Sequence, residues 1–275
     1  MTTITTGHLS KMVTELATPV NYFLPLDEQR IALNSLLGQK ITLSYSGEIH
    51  CCHCGRKSKK SFNQGFCYPC FRKLARCDNC IVSPEKCHYD AGTCREPEWG
   101  EQFCLADHVV YLANSSGIKV GITRATQLPT RWIDQGAVQA LPIMRVSTRL
   151  QSGLVEDALR QHVADKTNWR KMLKGDIDTA DLIASRDQLF ELCQGEIDEL
   201  HERFGLQALQ IIDDAPCVDI EYPVLEYPTK VTSHNLDKTP CVEGTLMGIK
   251  GQYLILDTGV INMRKYTAYH ISFSA

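Results

Sequence analysis

The sequence has no apolar run near the roughly 20 residues that cross a bilayer. Its first residues, Met1-Thr2-Thr3-Ile4-Thr5-Thr6, form neither a charged nor an apolar leader segment. These two absences exclude a helical membrane span and predict a cytoplasmic chain with no membrane partner. A strong net charge is missing too: 29 Lys and Arg stand against 32 Asp and Glu in 275 residues, a balance of −3. Taken alone, that balance argues against a nucleic-acid binder, which usually has a basic surplus. There is no collagen period and no long internal repeat. With 43% hydrophobic residues the chain is neither disordered nor a coiled rod, and its length allows two or three modest domains with true cores.

Cysteine is sparse over most of the chain and crowded in one place. Of 13 cysteines, ten lie between Cys51 and Cys104, while Cys193, Cys217 and Cys241 stand far apart. Without an export signal the surrounding redox buffer keeps thiols reduced, which favours metal binding over a disulfide framework. Cys51 and Cys54 form one C-x2-C pair, and Cys67 and Cys70 form another after a gap of twelve residues. Two residues between thiolates let a tight knuckle aim both sulfurs at one ion, and two knuckles complete a closed tetrahedral Zn2+ site of structural type. A second group follows. Cys77, Cys80, Cys87 and Cys94 are its expected ligands, with Cys104, His108 and His88 as competitors, so one or two structural Zn2+ ions are expected.

The charge is as uneven as the cysteine. Residues 51–77 contain no acid and carry +7, residues 78–108 carry −5, residues 109–174 carry +6 and residues 175–229 carry −12. The neutral average therefore hides two basic segments. In the first, Arg56, Lys57, Lys59, Lys60, Arg72 and Lys73 interleave with Phe62, Phe66, Tyr68 and Phe71. Cations beside stacking faces suit single strands and exposed bases, so these six residues are candidate nucleic-acid contacts.

Hydrophobic periodicity divides the chain into five parts. Residues 1–50 read as an N-terminal β region, and 51–107 as the cysteine-rich segment. Residues 108–175 hold a β-hairpin and an amphipathic helix starting near Ser152, with Leu154, Val155, Ala158 and Leu159 on one face. Residues 176–210 form an acidic helical segment whose stripe is Leu189, Cys193, Ile197, Leu200 and Phe204. Residues 211–275 form a proline-bearing linker and a C-terminal β region suited to pack with residues 1–50. The expected class is α+β: a zinc ribbon, a hairpin–helix domain, and a small β-barrel-like region drawn from both chain ends.

The hairpin carries a more specific pattern. Val109-Val110-Tyr111 is followed after seven residues by Lys119-Val120-Gly121-Ile122-Thr123, then by Arg131, then by Glu156 on the amphipathic helix. This order resembles the GIY-YIG nuclease superfamily, in particular the phage-type branch whose second motif reads Lys-Ile/Val-Gly. It covers about residues 108–175. The whole chain also looks like an uncharacterised bacterial family that joins a zinc ribbon to such a domain. The resemblance implies that Glu156 binds a divalent ion such as Mg2+, that Arg131 neutralises phosphoryl oxygens, that Tyr111 helps to activate the attacking water, and that Gly121 is the motif glycine. Lys119 stands where the family has its second tyrosine, as a base or as a phosphate contact.

The leading expectation is a zinc-containing, divalent-metal-dependent phosphodiester endonuclease acting on DNA or RNA. A non-catalytic DNA- or RNA-binding protein is the alternative. A third reading is a zinc-stapled interaction scaffold whose acidic helical segment recruits a basic protein partner.

Overall fold

The computed structural model describes residues 4–163 and 168–275. In chain order it contains β1 (Ile4–His8), β2 (Val13–Glu15), β3 (Asn21–Leu26), β4 (Gln29–Ala32) and β5 (Lys40–Ile49), then α1 (Tyr68–Lys73) and α2 (Pro97–Phe103). There follow β6 (His108–Asn114), β7 (Ile118–Arg124), α3 (Thr130–Asp134), β8 (Gln139–Val146), α4 (Arg149–Leu159) and α5 (Trp169–Lys174). The chain continues with α6 (Leu182–Leu192), α7 (Gln194–Phe204), β9 (Leu209–Ile211) and β10 (Val218–Asp219). It ends with β11 (Cys241–Lys250), β12 (Tyr253–Leu256), β13 (Gly259–Asn262) and β14 (Tyr269–Ser274). It is a mixed α and β protein, and every strand pairing within its sheets is antiparallel. No helix among the described residues is long and apolar enough to cross a membrane.

Both ends of the chain build one six-stranded sheet, in the order β1-β14-β5-β11-β12-β13. The order does not return on itself, so among the described residues this region is an open sheet and not the barrel-like closure that the strand pattern suggests. β2, β3 and β4 make a separate three-stranded sheet against the same core.

The central sheet runs β10-β8-β6-β7, with β9 added to β8. Its strand β6 is buried at every residue because both faces are covered. Alternation splits its side chains. Tyr111 and Ala113 face a core shared with Leu43, Ile271 and Phe273 of the terminal sheet, while Val110 and Leu112 face Val155 and Leu159 of α4 and Leu189 and Ile197 of the acidic helices.

Two helix boundaries differ from the periodic reading. α4 starts at Arg149, ahead of Ser152, because Thr148 and Gln151 form a reciprocal capping box: the Gln151 N–H donates to Thr148 Oγ1 at 3.3 Å, and the Thr148 N–H donates to Gln151 Oε1 at 2.9 Å. The acidic helix is two helices. The chain leaves helical dihedrals at Cys193 (φ −109°, ψ 18°), just before the weak helix former Gly195. The apolar stripe survives the break, since Leu189, Cys193 and Ile197 remain buried together with Leu200 and Phe204 packed on them.

Candidate functional site

The cysteine-rich segment has only short helices and helical turns and no strand among its described residues, so its shape depends on what its thiols do. Cys51, Cys54, Cys67 and Cys70 present their sulfurs within 4.8 Å of one another. The first knuckle is closed by the Gly55 N–H donating to Cys51 O at 2.8 Å, and the second by α1, whose Phe71 N–H donates to Cys67 O at 2.9 Å. The Cys54 and Cys67 sulfurs stand 3.7 Å apart. That is close to the edge, about 3.8 Å, of a tetrahedron with ~2.3 Å metal–sulfur bonds.

Burial raises the Cys51 thiol's pKa, but backbone amides of Cys67, Cys54 and His53 aimed at its sulfur outweigh that effect and bring it down to about 6. Cys70 moves the opposite way, raised by burial and by bonding to its three neighbours. The two directions belong to one crowded cluster: one thiolate forms readily and opposes the next, until a cation offsets the charge. The donor set is thus compatible with a zinc ribbon and placed to bind a structural metal such as zinc.

Cys77 packs here as well, with Cys51, Phe66, Cys67 and Leu74. It does not join Cys80, because the turn at residues 75–77 directs its side chain into the first cluster's apolar packing. A second, small cavity is lined instead by Cys80, Cys87, Cys94 and Cys104, with Asp78, His88 and Trp99 beside them. His108 lies apart from that cavity. Its Nδ1 is 2.6 Å from Ala106 O, and its buried Nε2 has no partner among the described residues.

Above the ribbon lies a cleft of about 620 Å³. Each wall comes from a different part of the chain: Arg76 from the cysteine-rich segment, Lys119, Gly121 and Arg124 from β7, Arg131 from α3, Arg149 and Glu156 from α4, Arg264 from the C-terminal sheet and Lys11 from the N-terminal region. Seven Lys and Arg side chains meet two carboxylates there, Asp134 and Glu156.

Asp134 is engaged, accepting from Lys11 Nζ at 2.8 Å and from Gln252 Nε2 at 2.8 Å. The cations crowd one another. Burial first, and the neighbouring Arg131 next, hold Arg264 below the usual guanidinium range. Arg149 is lowered in the same direction, by burial above all, with Arg131 adding to the effect. Like charges gathered at this density, with few acids among them, make a site suited to a polyanion.

Of the residues singled out in the sequence, Lys119, Gly121, Arg131 and Glu156 line this cleft together. Tyr111 lies beneath it. The ring is fully buried against Trp132, and its hydroxyl donates to Gln135 Oε1 at 3.0 Å, so Gln135 and not the phenol reaches the cleft surface. Burial pushes the Tyr111 pKa up to about 12 against the pull of Arg131.

Arg56, Lys57, Lys59, Lys60, Arg72 and Lys73 are all exposed on the ribbon, and none of them lines the cleft. The interleaved aromatics turn partly inward: Phe62 packs on Tyr68 and Phe71 with ring centroids 5.4 and 5.7 Å away. Sequence reasoning missed Lys11, Arg76, Arg149 and Arg264, which are scattered single basic residues without a motif. It also missed Gly153. A Cβ at that position would stand 2.4 Å from the backbone nitrogen of Glu85, so the glycine is what lets α4 press against the turn at residues 84–86.

The family described as "Protein of unknown function (DUF2797)" matches residues 38–271. No curated protein and no solved structure matches the chain.

Proposed function

The chain therefore belongs to the DUF2797 family, and we propose that it processes nucleic acid, gripping a phosphodiester backbone in the basic cleft and hydrolysing it with one divalent ion at Glu156. The observation that carries this reading is the shared cleft: Lys119, Arg131 and Glu156, drawn from three separate elements, line one cavity with four further cations besides Lys119, Arg124 and Arg131. It agrees with the order of motifs that resembles the GIY-YIG nucleases. A binding protein with no catalysis requires only the cations.

Phosphodiester hydrolysis requires a water aimed at phosphorus, positive charge on the phosphoryl oxygens, and help for the departing oxygen. Arg131 and Lys119 supply the charge. Gln135, held by the Tyr111 hydroxyl, offers its remaining amide hydrogens to orient a water or a phosphoryl oxygen. Glu156 fits Mg2+, which takes one or two carboxylates and keeps several waters, and a cleft this open leaves room for them. Bound there, Mg2+ would supply Lewis-acid polarisation and a more acidic water. Cys51, Cys54, Cys67 and Cys70 would hold a structural Zn2+ that fixes the ribbon from which Arg76 reaches the cleft.

One observation favours the binding-only alternative: Tyr111 is fully buried and does not line the cleft. Incubation of the purified protein with end-labelled DNA and RNA, in Mg2+ or in EDTA, separates the two. Cleavage that needs Mg2+ and disappears in Glu156→Gln supports the enzyme. Salt-sensitive binding without cleavage supports the binder, and no binding at low salt overturns both.

A further inference from the structure

Four cysteines are brought together in the structure from spacings that no knuckle motif describes. Cys80, Cys87, Cys94 and Cys104 line one small cavity of about 10 Å³. That volume is at the lower limit for a single water and excludes an organic ligand. All four are free thiols. No three of their sulfurs lie within 4.8 Å of one another, so a metal bound there would draw the thiols inward. Cys104 is buried and the other three are half-buried, and thiols that share so small and apolar a space are suited to a common partner.

We propose that this cavity is a second metal centre, in which Cys80, Cys87, Cys94 and Cys104 hold one tetrahedral thiophilic divalent cation of the zinc class, and that the centre fixes one wall of the basic cleft. Cys104 takes the place that spacing alone assigns to Cys77.

A competing donor set lies beside it, since Asp78, Cys80 and His88 also come within 4.8 Å of one another. Its non-sulfur members are already committed. Asp78 Oδ2 binds Arg95 Nε at 2.7 Å and faces His88 Nε2 at 3.5 Å, and Asp78 Oδ1 accepts from the Asn79 N–H at 2.6 Å. His88 Nδ1 lies 2.7 Å from Thr93 Oγ1. These contacts place Asp78 and His88 around the thiols as their support.

The link to the cleft runs through α4. Arg149 donates from its side chain to the carbonyls of Cys80 and Ile81, and its backbone N–H donates to Cys104 O at 2.7 Å. Two residues of the thiol set thus hold the cleft's Arg149 at both ends. Ile81, Val82 and Pro84, from the loop between Cys80 and Cys87, line the cleft directly. A metal that pins the ends of that loop also pins the cleft wall.

Native mass spectrometry of the full chain, purified with zinc and reductant, tests the centre. Two zinc ions per wild-type chain are expected, one in Cys94→Ala and in Cys104→Ala, and two in Cys77→Ala. One ion in the wild type, or loss of an ion in Cys77→Ala, overturns the assignment. Retention of two ions in Cys104→Ala with loss in His88→Ala moves the metal to the Asp78–Cys80–His88 set and overturns it too. If the variants misfold, cadmium NMR of the substituted wild type still decides. Two resonances in the all-sulfur range support the centre, and a second resonance from a mixed nitrogen or oxygen shell refutes it.

The coupling to the cleft rests on the cleft reading only for its purpose, so its test uses no nucleic acid. Amide hydrogen exchange at the first turn of α4 is expected to be at least tenfold faster in Cys104→Ala than in the wild type. Unchanged exchange there would overturn the coupling while leaving the proposed function untouched.

Discussion

Tyr111 and Gly121 face each other across β6 and β7, and the tyrosine ring occupies the space a side chain at 121 would need. A Cβ built on Gly121 stands 2.6 Å from Tyr111 Cζ and 2.7 Å from its hydroxyl oxygen. The pairing explains why a motif with tyrosine on one strand carries glycine on the next: the phenol reaches Gln135 only by lying flat over a residue without a side chain.

Gly121→Ala should therefore overpack this spot and cost about 1–3 kcal/mol of stability. The same substitution made in a Tyr111→Leu background should cost clearly less, because the group it strikes is gone. Denaturant midpoints for the four proteins of this double-mutant cycle measure the difference, and equal costs in both backgrounds would show that the ring is not what Gly121 accommodates.

Tyr111 is a poor candidate for a phenolate base, since burial raises its pKa to about 12 and the hydroxyl remains a donor at any working pH. Tyr111→Phe should cost about 1 kcal/mol of stability, the net value of a typical hydrogen bond. If cleavage is found, the substitution should lower its rate through Gln135 while leaving the shape of the pH–rate profile unchanged up to about pH 10, near the unshifted tyrosine value. An alkaline limb that vanishes in Tyr111→Phe would restore the phenol to the role of base.

The cleft and the ribbon's outer face make different predictions for salt dependence. Arg76 and Arg264 line the cleft, whereas Lys59 and Lys73 do not. Each phosphate contact contributes close to one unit of slope in a plot of log affinity against log salt. Arg264→Ala, or Arg76→Ala, should flatten that slope by about one for a bound oligonucleotide, and Lys59→Ala should leave it unchanged. The opposite ranking, measured by fluorescence anisotropy across a salt series, would move the binding face to the ribbon exterior.

How much of this was legible before folding depends on how local each feature is. The cluster of Cys51, Cys54, Cys67 and Cys70 could be read directly, because a knuckle is a matter of two intervening residues. The proposed set of Cys80, Cys87, Cys94 and Cys104 could be read only in part: spacing put Cys77 with the first three and left Cys104 as a competitor. Its spacings are longer, and membership turns on which way the short turns at residues 75–77 and 79–81 point Cys77 and Cys80. The hairpin and α4 were visible in the apolar alternation, whereas Lys119, Arg131 and Glu156 were marked only by the resemblance to the GIY-YIG order of motifs. Lys11 and Arg264 were not visible, since only the pairing of β1 with β14 and of β14 with β5 brings both chain ends to the cleft. The six cations of the ribbon's basic run are exposed and lie outside the cleft, to which the ribbon contributes Arg76.

His108 supplies a prediction about acid stability. It is fully buried at the start of β6, its Nδ1 sits 2.6 Å from Ala106 O, and its Nε2 has no partner among the described residues. The short contact to a carbonyl requires the proton on Nδ1, so the buried ring is neutral with Nε2 unprotonated. Burial first, with Arg149 and Arg124 nearby, lowers its pKa to about 4, and the bond to Ala106 opposes the shift only in part. The unfolded chain takes up this proton near pH 6.5, while the folded protein resists until about pH 4. Stability from this residue is thus complete above about pH 6.5 and falls as the pH drops toward 4, by about 3 kcal/mol in all. Below that the folded form binds the proton too, and the loss levels off. His108→Asn keeps an N–H donor for Ala106 and cannot titrate. It should be less stable than the wild type at pH 7, yet lose about 3 kcal/mol less between pH 7 and pH 4, as urea unfolding at the two pH values would measure. Parallel losses in the two proteins would show that His108 is already protonated in the folded state.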